Sequence, residues 1–113
     1  MSMALDVTTM RDAVIIGIPR RLDAGNAPDI EPELKKILLN MPKKVVFDFS
    51  ETDYIASAGL RILLLVNRDL MKAGGKVALA GLRPAVLRIF DMAGFTSIFI
   101  IGTSREEAVQ KMM

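Results

Sequence analysis

Apolar residues change their period several times along this chain, and each change marks an element. A weakly alternating stretch from Leu5 to Thr9 is followed by the turn-forming pair Arg11-Asp12 and by the β-rich run Ala13-Val14-Ile15-Ile16-Gly17-Ile18, closed by Pro19. Together these predict an N-terminal hairpin. Arg20 to Pro28 is dense in turn formers and reads as a loop. Pro28 near a start, and Ile30, Leu34, Ile37 and Leu38 at helical spacing, predict a first helix over 27–40, stopped by Pro42. Lys44 to Phe49 is continuously apolar apart from Asp48, as expected of a central strand covered on both faces.

The second half repeats the alternation. Ala58 to Lys72 reads as a second helix, with Leu60, Leu63, Leu64, Asn67, Leu70 and Met71 on one periodic face. Of these, Leu60, Leu63, Leu64 and Leu70 are expected in the core. Gly74-Gly75 closes that helix where a left-handed residue is cheapest. Val77 to Ala80 is a short strand. Pro84 opens a third helix carrying Val86, Leu87, Phe90 and Ala93, and Gly94 ends it. Ser97 to Ile101 is read as the last strand. Thr103 or Ser104 caps a final helix whose Glu106, Glu107 and Lys111 match the helix dipole.

Helices and strands thus alternate after an opening hairpin. The fold class is α/β: a central mixed, mainly parallel sheet of about five strands with about four helices. Connections are short and no linker or repeat divides the chain, so residues 1–113 are read as a single domain. A chain of this size buries roughly two-thirds of its unfolded surface, enough for one core. With 51% hydrophobic residues, only 5% aromatic ones and no Trp, that core must be aliphatic.

Charge adds little. Fifteen basic and thirteen acidic residues leave a net charge of +2. No basic stripe interleaved with aromatics argues for nucleic acid. The longest uninterrupted apolar run, Ile62 to Val66, is far short of the roughly 20 residues that span a membrane. Met1 to Asp12 lacks the basic and apolar regions of a signal peptide, and a chain without Cys is compatible with the cytoplasm.

The candidate chemistry narrows to one place. Ser57 follows an apolar strand and a short polar turn, sits between Ala56 and Ala58, and falls where the second helical pattern begins. A serine on such a turn resembles a nucleophile elbow, but Ile55 stands where that elbow needs Gly. The chain has no His, so no Ser–His pair can form, and Leu60 occupies the place of a lysine base. Without Cys or His, zinc and iron sites are not expected, and no glycine pattern cradles a nucleotide phosphate. The expectation is a protein that is not an enzyme and uses no cofactor or metal. Two readings of Ser57 stay open: an ordinary helix cap, or a phosphorylation site whose phosphate the helix start tolerates.

Three stretches carry a resemblance to a known family. They are Arg21-Leu22-Asp23-Ala24; Val46-Phe47-Asp48-Phe49 with Tyr54-Ile55-Ala56-Ser57-Ala58-Gly59-Leu60-Arg61; and Gly74-Gly75-Lys76-Val77 through Gly81-Leu82 with Phe90-Asp91-Met92-Ala93-Gly94-Phe95. In this order they resemble the STAS domain, specifically the single-domain bacterial anti-sigma factor antagonists. The resemblance implies a STAS-like fold and a partner-switching role. The unphosphorylated antagonist binds an anti-sigma factor that is a serine kinase, phosphorylation releases it, and a PP2C-type phosphatase restores it. It also implies that Ser57 is the acceptor and Gly59 the motif glycine, with Asp23, Ala56, Ala58, Gly59 and Arg61 around the partner-binding face. The motif's leading Asp is here Ala56 and its second hydroxyl is Ala58, and Arg20-Arg21 stand where the family usually has glycine. Asp23 reads equally as a turn aspartate bonding loop amides and as a phosphosite neighbour, and Arg61 as a partner contact or a solvent-facing charge. Similar stand-alone domains also serve as non-phosphorylated adaptor subunits, for example of a lipid transporter, or as small-molecule sensors. Neither the oligomeric state nor the particular kinase follows from the residues.

Overall fold

A computed structural model describes residues 5–40 and 42–113. Along the chain the elements are β1 (Asp6–Met10), β2 (Ala13–Gly17), β3 (Arg21–Leu22), α1 (Ala27–Ile37), β4 (Lys44–Asp48), β5 (Tyr54–Ile55), α2 (Ser57–Lys72), β6 (Lys76–Ala80), α3 (Pro84–Met92), β7 (Ile100–Gly102) and α4 (Arg105–Lys111). The hairpin forms as expected, β1 antiparallel to β2. The main sheet runs β1-β2-β4-β6-β7, parallel from β2 onward. The signal-peptide reading of Met1 to Asp12 begins at residues 1–4, which lie outside the described ones.

The apolar run of β4 is continuous because both sheet faces are covered, and successive side chains serve different cores. Val45 and Phe47 pack with Ile30 and Leu34 of α1, Leu63 and Leu70 of α2, and Phe90 of α3. Val46 points the other way, into a smaller cluster with Ile15, Ala78, Ala80 and the α4 residues Ala108 and Val109. Alanines on that second face let α4 lie close. A Cβ on Gly102 would stand 2.5 Å from the Ala108 backbone nitrogen.

Several boundaries differ from the periodicity reading. First, α1 ends at Ile37 rather than residue 40, because the Leu38 amide already bonds the Leu34 carbonyl and the next turn tightens to Leu39 N–H···O=C Lys36. The expected strand over 97–101 is mostly something else: Phe95–Ser97 is a 3₁₀ turn and only Ile100–Gly102 pairs with β6. Its aromatic rings explain the fold-back, since the Phe95 ring lies tilted against those of Phe90, 6.0 Å away, and Phe99, 5.8 Å away. Leu64, expected in the core, is 41% exposed, whereas Leu63 and Leu70 are buried and Leu60 is partly buried. The Gly74 stop holds: its φ is +82°, and the Gly75 amide bonds back to the Leu70 carbonyl at 2.7 Å.

One pairing was invisible to periodicity. Within the turn-rich loop, Arg21 and Leu22 form β3, which pairs in parallel with Tyr54 and Ile55 of β5 as a separate two-stranded sheet. Two residues are too few to show a period. This small sheet joins the loop after β2 to the start of α2, and it builds the site.

Candidate functional site

Ser57 is exposed and is the first residue of α2, not its cap. The cap position belongs to Ala56, in extended backbone at φ −111° and ψ 176°, and no side chain caps the helix. The plain-cap reading of Ser57 is therefore corrected. The helix starts one residue earlier than the apolar pattern suggested, because Ala56 already supplies the carbonyl that accepts from Gly59 and Leu60. The amides of Ser57 and Ala58 precede the first intrahelical donors and have no acceptor within the helix.

The rim is held from beneath by backbone bonds between two loops. The Ala56 amide donates to the Leu22 carbonyl at 2.9 Å, and the Asp53 amide to the Arg20 carbonyl at 2.7 Å. Thr52, wholly buried, donates its hydroxyl to the Pro19 carbonyl at 2.9 Å and reaches the Ile18 carbonyl at 3.2 Å. Gly59 completes the seat. A Cβ there would lie 2.6 Å from Leu22 Cγ and 2.9 Å from Ile55 Cγ1. The motif glycine is thus required by close packing of α2 onto β3 and β5, and its φ is not left-handed.

Asp23 fulfils its reading as a turn aspartate. Its Oδ1 accepts from the Gly25 amide at 2.9 Å and more weakly from that of Asn26 at 3.3 Å. It directly follows Leu22, whose parallel partner is Ile55, the residue before Ala56. Asn26, which sequence reasoning passed over, fixes this turn. Its Oδ1 accepts from the Asp23 amide at 2.9 Å and its Nδ2 donates to the Arg21 carbonyl at 2.7 Å.

The surrounding cations are mostly engaged. Arg20 pairs with Asp53 at 3.2 Å, Arg83 binds the other Asp53 oxygen and the Ser50 carbonyl, and Arg21 pairs with Asp23 at 3.3 Å. Arg61 is exposed on α2 and makes no salt bridge among the described residues. Tyr54, the sole tyrosine, is 49% exposed two residues before Ala56. Sequence reading gave no role to Asn26, Thr52, Tyr54 or Arg83; the sole tyrosine, three residues before Ser57, was the one signal available for any of them.

Asp48 stands apart, at the C-terminal end of β4. Its Oδ1 accepts from the Ser50 amide at 3.0 Å, satisfying a backbone donor just past the strand end. Its Oδ2 also holds Arg105, the first residue of α4, in a two-nitrogen contact. Burial pushes the Asp48 carboxyl up, but the Arg105 guanidinium and the Ser50 amide outweigh it and hold it below the usual carboxylate range. The pair ties α4 to the sheet and lies on no reactive path. Among the described residues no cluster of three metal-ligating side chains occurs and no helix is long and apolar enough to cross a membrane. A solvent-open groove of about 470 Å³ runs between α1 and α2, lined by Leu34, Leu38, Ile62, Leu65 and Val66.

A family model described as STAS domain matches residues 4–108. The protein BtrV of Bordetella bronchiseptica, described as a candidate anti-sigma factor antagonist, is 40% identical over 87 residues, covering 77% of this chain and 75% of that one. The anti-sigma-B factor antagonist of Bacillus subtilis is 24% identical over 110 residues, covering 97% of this chain and 100% of that protein. Among solved structures, an anti-sigma factor antagonist from Mycobacterium paratuberculosis matches with a TM-score of 0.87 at 21% identity, over 99% of this chain and 98% of that one. The Bacillus cell fate determinant SpoIIAA, solved in its phosphorylated form, matches with a TM-score of 0.71 at 20% identity, over 97% and 100%. At these identities the two structural matches speak to the fold.

Proposed function

The chain belongs to the STAS domain family, and we propose that it acts there as an anti-sigma factor antagonist switched by phosphorylation of Ser57. The observation that carries this reading is an exposed serine at the first position of α2, flanked by Ala56 and Ala58, on a rim braced from beneath. Its hydroxyl can be approached from solvent, and both neighbours are small.

The unphosphorylated rim, with Asp23, Ala56, Ala58, Gly59 and Arg61, docks on an anti-sigma factor that is a serine kinase. In-line transfer then moves the γ-phosphoryl group of ATP to Ser57 Oγ; the hydroxyl proton leaves and ADP is released. The new group brings about −1.5 to −2 charge. At a helix start this is tolerated, by about 0.3–1 kcal/mol of favourable dipole interaction. Against a partner surface fitted to a neutral alanine rim, the same charge is unpaired, at a cost of about 2–5 kcal/mol. The result is release without refolding. A PP2C-type phosphatase returns the serine. The protein itself performs no catalysis, and the exchange takes place in the cytoplasm.

The test is a pull-down from the native cell, followed by incubation of the captured kinase with ATP and mapping of phosphate by mass spectrometry. Phosphate on Ser57 is expected, with Ser57→Asp losing about 30-fold or more in kinase affinity and Ser57→Ala retaining it. Phosphate elsewhere, or none, overturns the reading. Ala56, where the family motif has a carboxylate, favours one second reading, a non-phosphorylated adaptor subunit. A stable complex indifferent to Ser57→Asp is its signature.

A further inference from the structure

We propose that Arg61 is an internal receptor for the phosphate on Ser57, so that phosphorylation both adds a dianion to the docking rim and withdraws a cation from it. The proposal rests on Ser57 being the acceptor, as argued above. Its geometric basis is the helix. Ser57 and Arg61 are residues i and i+4 of α2, both exposed. At that spacing their Cβ atoms lie about 5–6 Å apart on one face. The anion is N-terminal to the cation, the better of the two orders. An Arg side chain spans that gap easily, and its planar fork matches phosphate oxygens with two parallel donors.

The other nearby cations are committed elsewhere. Arg20 and Arg83 share Asp53, Arg83 also holds the Ser50 carbonyl, and Arg21 pairs with Asp23. Recruiting any of them means breaking an existing contact. Arg61 has no such contact among the described residues, so the phosphate takes it at the cost of side-chain freedom alone. In the unphosphorylated protein Arg61 is then available to a carboxylate of the partner. After phosphorylation it turns one helical turn back onto its own chain. One covalent event changes the rim at two places, four residues apart.

The test separates this contact from the identity of the kinase. Phosphoserine is installed at position 57 by genetic encoding in the full chain, and the ³¹P shift is followed from pH 4 to 8. The second phosphate pKa, ordinarily about 6, is expected to be lower in the wild type than in Arg61→Gln by about 0.2–0.4 unit. Arg61→Lys should recover part of the difference, 1 M salt should shrink it, and Arg83→Gln should leave it unchanged. Equal pKa values in wild type and Arg61→Gln, or a larger effect from Arg83→Gln, overturn the proposal. Because no kinase is used, failure here leaves the acceptor assignment standing, and failure to find Ser57 phosphate in cells leaves this contact measurable.

Discussion

Gly59→Ala puts the packing at the helix start to a quantitative test, because two effects of known sign oppose each other. Inside a helix, Ala is more favourable than Gly by about 1 kcal/mol. Taken alone, that term makes the substitution stabilising. The opposing term is steric. The added methyl would stand 2.6 Å from Leu22 Cγ and 2.9 Å from both Leu22 Cδ2 and Ile55 Cγ1. Neither neighbour can swing outward, since Leu22 is 0% and Ile55 1% exposed. Leu22 also supplies the carbonyl that accepts from Ala56, so moving it strains the bond that seats the rim. Overpacking of this kind costs about 1–3 kcal/mol. With three contacts under 3 Å the upper part of that range applies, leaving a net loss of about 1–2 kcal/mol after the helix gain.

Urea unfolding followed by circular dichroism reads this directly, as a fall in midpoint of about 0.5–1 M. Ala58→Gly, one residue earlier in the same helix turn, measures the local propensity term. Combining Gly59→Ala with Leu22→Ala supplies the decisive comparison. The truncation opens a cavity costing about 2–5 kcal/mol, and the new methyl partly fills it, so the double variant should be more stable than the sum of the singles predicts. A Gly59→Ala protein as stable as the wild type, or more so, refutes the reasoning: α2 would then be free to lift from β3 and β5.

Two further outcomes follow from the polar contacts. Arg105→Gln removes the group that holds the Asp48 carboxyl below its usual range and should cost about 1.5–3 kcal/mol at pH 7. A depressed carboxylate contributes stability that is present above its unfolded value near pH 4 and is lost as pH falls through its folded value. The gap between wild type and variant should therefore narrow below about pH 4, and a gap independent of pH between 7 and 3 speaks against the pair. Ala56→Asp restores a cap where none exists and should raise stability by about 0.5–2 kcal/mol; an unchanged midpoint shows that the first-turn amides are already satisfied by water.

The sequence carried the main architecture because long elements declare themselves. Pro28, Gly74 and Pro84 mark helix ends, β4 reads as doubly covered, and the alternation of helix and strand dictates a parallel sheet. What failed were features shorter than one period. β3 and β5 have two residues each, and a two-residue strand shows no alternation. The stretch 97–101 looks like a strand by composition, yet Phe95 and Phe99 turn it inward through aromatic contacts that periodicity does not encode. Leu64 fits the apolar stripe but is 41% exposed, since an eleven-residue α1 and the sheet do not cover every face of a sixteen-residue α2. At the site, the helix start near Ser57 and the turn made by Asp23 were legible from the residues. Asn26, Thr52 and Arg83 were not, because each acts across a tertiary contact of five to more than thirty residues.

The alanine before Ser57 changes meaning once its place is known. Read along the chain, Ala56 is a lost carboxylate beside the acceptor. In the fold it is the cap position of α2, so the carboxylate of the family motif would stand on the helix cap. Its absence has an electrostatic consequence. Counting positions 56 and 57 alone, an aspartate at 56 would make phosphorylation take them from one negative charge to about three; with Ala56 they would go from none to about two. The energy of an anion against a partner grows with the charge already present, so the neutral rim begins from a surface that is easier to bury and reaches a smaller total repulsion. A switch built this way gains from a second change at the same event. Arg61, one turn along α2 and exposed, is placed to supply it: under the proposed switch, the cation offered to the partner before phosphorylation would be the one the phosphate claims afterwards.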